Sequence, residues 1–320
     1  MTTYSFLAPI APLRPEQLLP YAALAQWSAA HRMWQGQAVI NDPFQDLTHV
    51  SACGFRVPTG TGVTLMPLRH PYQAAIQAHG LAVASGHPVV AGFGPGSAAF
   101  QYSMMGAPYR SQLGAVREYV TIMRDLLEKG EADHVGEYFT CRSPFALVPR
   151  PPVEIGLGVL RPRMARLAGE IADVAITWLT PAPYVRDTVI PALREGAAAA
   201  GRPVPRVVAT VPLALAAEGR NPAELAAISN TAHTMLPHYA DMLRRSGIET
   251  STEDPAANAQ ALLDGGAFLY GDRAELADRL REFADAGVDE IVLNVTGVHA
   301  RYGERASLAE LETLLEAVAR

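Results

Sequence analysis

Lysine is almost missing from this chain: Lys129 is the only one among 26 basic residues, so arginine carries the positive charge. Cysteine is nearly as scarce. Cys53 and Cys141 stand far apart, in neither a metal-binding nor a redox spacing, which excludes a disulfide framework. With no charged segment around the opening "TTYSFLAPIAP", a reducing cytoplasm is the expectation. No apolar run is long enough to cross a membrane. The formal net charge of −6 argues against a nucleic-acid partner unless positive charge is concentrated locally. The nine histidines form no HExxH or HxH and meet no carboxylates at metal-ligand spacing, so no metal is expected.

What is present is a globular composition, 49% hydrophobic over 320 residues, enough for two ordinary domains or one large barrel. Short apolar runs alternate with helical patterns from end to end. Strands are expected near 3–8, 32–39, 57–65, 87–94, 152–158, 173–178, 205–215 and 289–295. Helices are expected near 15–30, 43–53, 70–84, 109–129, 162–171, 183–200, 273–286 and 307–319. Eight strands each followed by a helix predict an α/β fold, a (β/α)8 TIM barrel forming a single domain over 1–320, with function on the loops at the C-terminal strand ends. The surplus lies in two loops, 95–108 and 131–151, and in a helical insertion at about 218–267, after strand seven. That insertion is either a lid over the mouth or a decorative or dimer-forming helical pair.

The segment "LRPRMARLAGEIAD" raises a problem of charge. Pro162 suits the first helical position, and Met164, Leu167, Ala168 and Ile171 make an apolar face. A helix N-terminus disfavours cations, yet this one opens with Arg161 and Arg163. A solvated face with Arg166 paired to Glu170 accounts for Arg166 alone. A phosphate held by the strand-and-turn "VEIGLGVL" and the exposed helical amides accounts for the rest.

Two other strand ends stand out. "GFGPGS" lacks the Gly-Lys-Ser/Thr of a Walker loop, leaving either ligand contact or a tight turn. "TGTGVTLMPLRHP" places Gly60 and Gly62 where a barrel strand should carry bulky residues, which marks a bulge or a close approach by a ligand. His70, before Pro71, is either a helix-start residue or a catalytic one.

With "VVAGFGPGS" and the C-terminal "FLYGDRAELADRLREFADAGVDEIVLNV", these segments resemble, in order and spacing, the bacterial luciferase-like superfamily of flavin and deazaflavin oxidoreductases. "RMARLAGEIAD", "ITWLTP" and "MWQGQ" look like its branch that uses the deazaflavin coenzyme F420. The resemblance implies a cofactor phosphate near Val159, Leu160, Arg161 and Arg163. It implies a cis peptide at Gly62–Val63 backing the ring, backbone contact at Gly94, Pro95 and Gly96, and Gln37 at the ring edge. The chain also departs from the pattern. Many relatives carry Asp-His at Gln37-Ala38 and some a glutamate at Ser97, so their acid/base chemistry does not transfer. Arg161 and Val174 replace glycines.

The activity implied is hydride transfer between F420 and an activated C=C or C=N bond, including that of a dehydroamino acid in a peptide. Candidate proton donors are Tyr102 first, then His238, Tyr239 and His70, or water. Trp34, Trp178, Ser97 and Tyr239 are candidate pocket walls. The alternatives are an FMN-dependent monooxygenase on the same barrel and a non-catalytic cofactor-binding protein. A homodimer is expected from the resemblance.

Overall fold

The runs "VVAGFG", "VAITW" and "EIVLN" are buried along almost their whole length, as a parallel sheet covered on both faces requires. The computed structural model describes residues 2–38, 40–251 and 254–318. Its barrel strands are β1 (Thr3–Leu7), β2 (Met33–Gln35), β3 (Thr59–Thr61), β4 (Val89–Gly94), β5 (Val153–Gly158), β6 (Val174–Trp178), β7 (Arg206–Leu215) and β8 (Glu290–Asn294). Each pairs in parallel with the next, and β8 returns to β1, so the barrel closes. This is the expected (β/α)8 barrel.

The helices begin where the sequence supplies a cap and a proline. Asp42 accepts from the Phe44 amide at 2.9 Å ahead of helix Pro43–Ala52, and Asn221 accepts from the Ala223 amide at 3.0 Å ahead of helix Pro222–Thr234. His70 does the same for helix Pro71–Ser85, its ring accepting from the Tyr72 amide at 3.2 Å.

Three expectations are corrected. The 57–65 strand is broken by a cis peptide at Gly62–Val63 and resumes at Thr64–Leu65, which pairs with the end of β4. Across the gap the Thr61 and Thr64 hydroxyls donate to the Gly92 carbonyl, and the Gly92 amide donates to Thr61 Oγ1 at 2.8 Å. Second, residues 95–108 are no open loop: helix Ala98–Met105 forms there, capped by Ser97 Oγ. Third, 131–151 contains an antiparallel hairpin, Glu131–Val135 with Thr140–Pro144.

The insertion is helical as expected, with helices Pro222–Thr234, Pro237–Arg245 and Pro255–Asp264 before the short strand Leu269–Gly271, which pairs with the end of β7. Helix Pro222–Thr234 crosses helix Thr296–Tyr302 closely because Gly297 has no side chain; a Cβ there would lie 2.5 Å from the Leu225 carbonyl oxygen. Arg301 and Glu224 pair across the crossing at 2.8 Å. In the segment "ETSTEDP" of this insertion, Thr252 and Glu253 lie outside the described residues.

Candidate active site

Side-chain sizes inside the barrel decide where space is left. Trp34 fills the lower interior opposite Gly60, where a Cβ would stand 2.6 Å from the indole. Ile176 crosses the middle between Gly92 and Gly156, where added Cβ atoms would lie 2.6 and 2.8 Å from its Cδ1. Together with Leu7, Val90, Val174, Val208 and Val292 these side chains make a plug, the packed interior of a barrel of this size.

Beneath the plug, at the N-terminal strand ends, Glu290 is wholly buried. It accepts from Ser5 Oγ at 2.6 Å and Trp34 Nε1 at 2.7 Å, and pairs with Arg32 at 3.4 Å. Burial acts to raise its pKa, but the Arg32 charge and the two hydrogen bonds outweigh it and hold the carboxyl below its ordinary range. This end is structural.

Above the plug the two halves of the mouth differ. The next inward positions on β2 to β5 are Gly36, Gly62, Gly94 and Gly158. The one side chain among them is Val63, turned in by the cis bond; Cβ atoms on Gly94 and Gly158 would lie 3.0 and 3.6 Å from its methyl carbons. Facing this wall, β6 and β8 present Trp178 and Asn294. Val63 and Trp178 both rest on the interior plug and floor the mouth.

At the edge of the glycine wall, β5 runs into helix Pro162–Ile171. The amides of Leu160, Arg161 and Arg163 donate to no protein group among the described residues, and Arg161, the N-cap, supplies no side-chain cap. The loop is fixed by the Tyr184 hydroxyl, which donates to the Leu160 carbonyl at 3.1 Å. Arg161 pairs with Asp241 of the insertion at 3.8 Å, whereas the Arg163 guanidinium has no partner among the described residues. Arg166 pairs with Glu170 and, at 2.9 Å, with Glu195, so the solvated-face reading holds for Arg166. Val159 is corrected: it is buried, and its amide donates to the Ile176 carbonyl at 2.8 Å, leaving nothing for a phosphate.

The insertion reaches over the mouth. The His233 ring lies on Trp178 at 5.1 Å and 28°, with Tyr239 edge-on to it at 5.0 Å and His238 beyond Tyr239 at 4.9 Å. Burial, with a smaller effect of His238, brings the His233 pKa down to about 4, so the ring is neutral near pH 7. His238 is also lowered, by burial and then by Arg161, and burial raises Tyr239.

Trp178, His238 and Tyr239 thus come together around His233, a residue that no sequence spacing singles out. The other expected residues separate from them. Trp34 is 1% exposed within the plug and walls no open pocket. Both His70 nitrogens are engaged, one as the helix cap and the other 3.1 Å from the Thr140 carbonyl oxygen, so the helix-start reading replaces the catalytic one. Tyr102 is 65% exposed, because helix Ala98–Met105 turns Gln101 inward instead. Gln101 Nε2 donates to the Pro95 and Gly96 carbonyls at 3.0 Å each and fixes that turn. Ser97 is occupied as a cap. The Gln37 amide nitrogen donates to the Ala38 and Asn41 carbonyls and its oxygen accepts from Arg69 at 3.0 Å, which turns the side chain into its own loop. That loop borders a cleft of about 600 Å³ beside the mouth, lined in part by Pro12, Gln37, Asn41, Asp46 and Arg69.

Comparison with known proteins agrees with this architecture. The chain is 25% identical over 279 residues to 5,10-methylenetetrahydromethanopterin reductase of Methanopyrus kandleri, covering 77% of this chain and 79% of that one. It is 25% identical over 313 residues to the F420-dependent glucose-6-phosphate dehydrogenase of Kineococcus radiotolerans, covering 88% of each. Among solved structures, the coenzyme F420 dependent tetrahydromethanopterin reductase from Methanopyrus kandleri superposes with a TM-score of 0.75 at 19% identity, covering 99% of this chain and 98% of the other. EDTA monooxygenase from Chelativorans sp. BNC1 superposes with a TM-score of 0.77 at 15% identity, covering 100% and 93%, so the fold by itself does not choose between a reductase and a monooxygenase. The luciferase-like monooxygenase family model matches residues 4–290, and the chain belongs to that family.

Proposed function

We propose that this protein is an F420-dependent oxidoreductase that reduces an activated C=C or C=N bond. The observation that carries the reading is the division of the mouth: a glycine wall on β2 to β5 with Val63 as its one side chain, opposite Trp178, ending in three amides unpartnered among the described residues. A flat tricyclic ring needs the first and its phosphate the second. The sequence relatives that cover most of this chain are F420-dependent by name or, as methylenetetrahydromethanopterin reductase, share the fold of an F420-dependent structure.

Gly94 and Gly158 would lie against the ring, with Val63 behind it, and the amides of Leu160, Arg161 and Arg163 would hold the phosphate with the free Arg163 guanidinium. When bound, the reduced deazaflavin supplies a hydride. The chain's own part is to hold the acceptor beside the ring, exclude water and deliver the proton that completes the reduction. Of the donors considered, His238 and Tyr239 stand in the cluster over the mouth; burial keeps the Tyr239 hydroxyl protonated. Tyr102 and His70 stand outside that cluster. The 218–267 insertion acts as a cover, since it brings His233 onto Trp178.

Anaerobic assay of reduced F420 with a panel of enones, imines and dehydroamino-acid peptides tests this. Oxidation of the cofactor coupled to saturation of one of these bonds is the expected result. Oxygen consumption with reduced FMN, and none of the former, would assign the monooxygenase reaction instead.

A further inference from the structure

Three polar atoms at the mouth have no partner in the fold. Trp178 Nε1, Asn294 Nδ2 and His233 Nδ1 are all buried and make no hydrogen bond among the described residues. The first two can only donate. Trp178 and Asn294 occupy inward positions at the ends of β6 and β8, paired in register with Thr210 and Pro212 of the intervening β7. His233 arrives from the insertion and lies flat on the indole at 5.1 Å. A buried donor without an acceptor is disfavoured, and three around one opening mark a place where a ligand completes the bonding.

The charge of that ligand follows from the wall. At the mouth end the inward residues on β6 to β8 are Trp178, Thr210, Pro212 and Asn294, none of them charged, while the charged Arg206 and Glu290 lie at the opposite end of the barrel. Arg161, the cation that acts on His238, is already paired with Asp241. Burial holds His233 neutral. A phosphate or carboxylate brought here would lose its hydration without gaining a cation, whereas a carbonyl oxygen or imine nitrogen needs only the donors on offer.

We propose that Trp178, Asn294 and His233 form the acceptor-selecting subsite of the mouth, which takes an uncharged substrate through its carbonyl or imine group and rejects phosphorylated and carboxylated ones. The proposal rests on the F420 reductase reading and narrows it, setting this chain apart from a relative named for glucose 6-phosphate.

The three tryptophans make a direct test possible. Protein labelled with 15N-tryptophan gives three indole N–H resonances, assigned with single Trp→Phe variants. Trp27 is exposed, Trp34 is bonded to Glu290 and Trp178 is free. The protein is loaded with oxidised F420, which has no hydride to give the enone, and titrated with cyclohex-2-enone or with glucose 6-phosphate, the cofactor absorbance being followed in the second titration so that any reduction of F420 by the sugar phosphate counts as binding. The expected result is that the enone moves the Trp178 resonance and leaves Trp27 and Trp34 in place, while glucose 6-phosphate moves none. Trp178→Phe and His233→Phe should each weaken enone binding by about 3- to 10-fold while F420 affinity stays within about twofold. A Trp178 resonance that ignores the enone in protein that binds F420, or that responds to glucose 6-phosphate alone, overturns the proposal and leaves the reductase reading standing. Failure to bind F420 at all overturns both.

Discussion

The Val63 side chain occupies the space that Gly94 leaves open: a Cβ on Gly94 would lie 3.0 Å from Val63 Cγ2. Gly158 stands on the other side of Val63 with more room, 3.6 Å from Cγ1. Gly158→Ala is therefore expected to fold normally yet to obstruct the ring, weakening F420 binding by about tenfold, or roughly 1.4 kcal/mol. Gly92→Ala is the contrast. Its Cβ would lie 2.1 Å from the Thr61 carbonyl oxygen, so it should destabilise the barrel by about 3 kcal/mol. Thermal unfolding and fluorescence titration of the two variants separate these effects, and equal loss of stability in both would remove Gly158 from the site.

The Arg163 guanidinium, on the first turn of the helix that follows the Leu160 and Arg161 amides, has no partner among the described residues. Arg163→Ala should weaken F420 by about tenfold and leave the affinity for the phosphate-free deazaflavin chromophore unchanged. The wild-type preference for F420 over that chromophore should also shrink as salt is raised. Equal weakening of both ligands would place Arg163 away from the phosphate.

Glu290→Gln removes the counter-charge of Arg32, whose side chain is only 4% exposed. Leaving that guanidinium buried and unpaired should cost about 3 kcal/mol in chemical denaturation at pH 7. The Glu290 pKa is depressed below its ordinary 4.5, so its contribution is fully present above that pH and disappears as pH falls further. The stability gap between the two proteins should close in acid.

His233 titrates near 4 in the fold against an ordinary 6.5. Its neutral form is favoured by folding, so this contribution is complete above pH 6.5 and is lost as pH falls towards 4. Wild type should therefore lose more stability than His233→Gln between pH 7 and 4.5. Parallel losses on differential scanning calorimetry would show that the ring is not buried against Trp178.

The barrel was legible because its strands are continuous apolar runs with helical patterns between them, and "VAITW" and "EIVLN" form strands close to where periodicity put them. The hairpin at 131–144 was not, because its strands expose alternate residues and carry Glu131, Asp133, Thr140 and Arg142 outward. Trp34 misled because β2 ends one residue later at Gln35, which suggested the mouth; Gly60 draws the indole down towards Glu290 instead. The phosphate end was readable from a charge at odds with its helix. His233 was invisible for the opposite reason: it reaches Trp178 only through tertiary packing, and nothing in its local sequence marks it.

The central claim is that the glycine wall and the amide cradle hold F420. Parallel titration of the purified protein with F420 and FMN, read by quenching of tryptophan and by cofactor fluorescence, tests it most directly. The account predicts micromolar or tighter binding of F420 and much weaker binding of FMN. Preference for FMN would contradict it and make oxygen consumption the next assay.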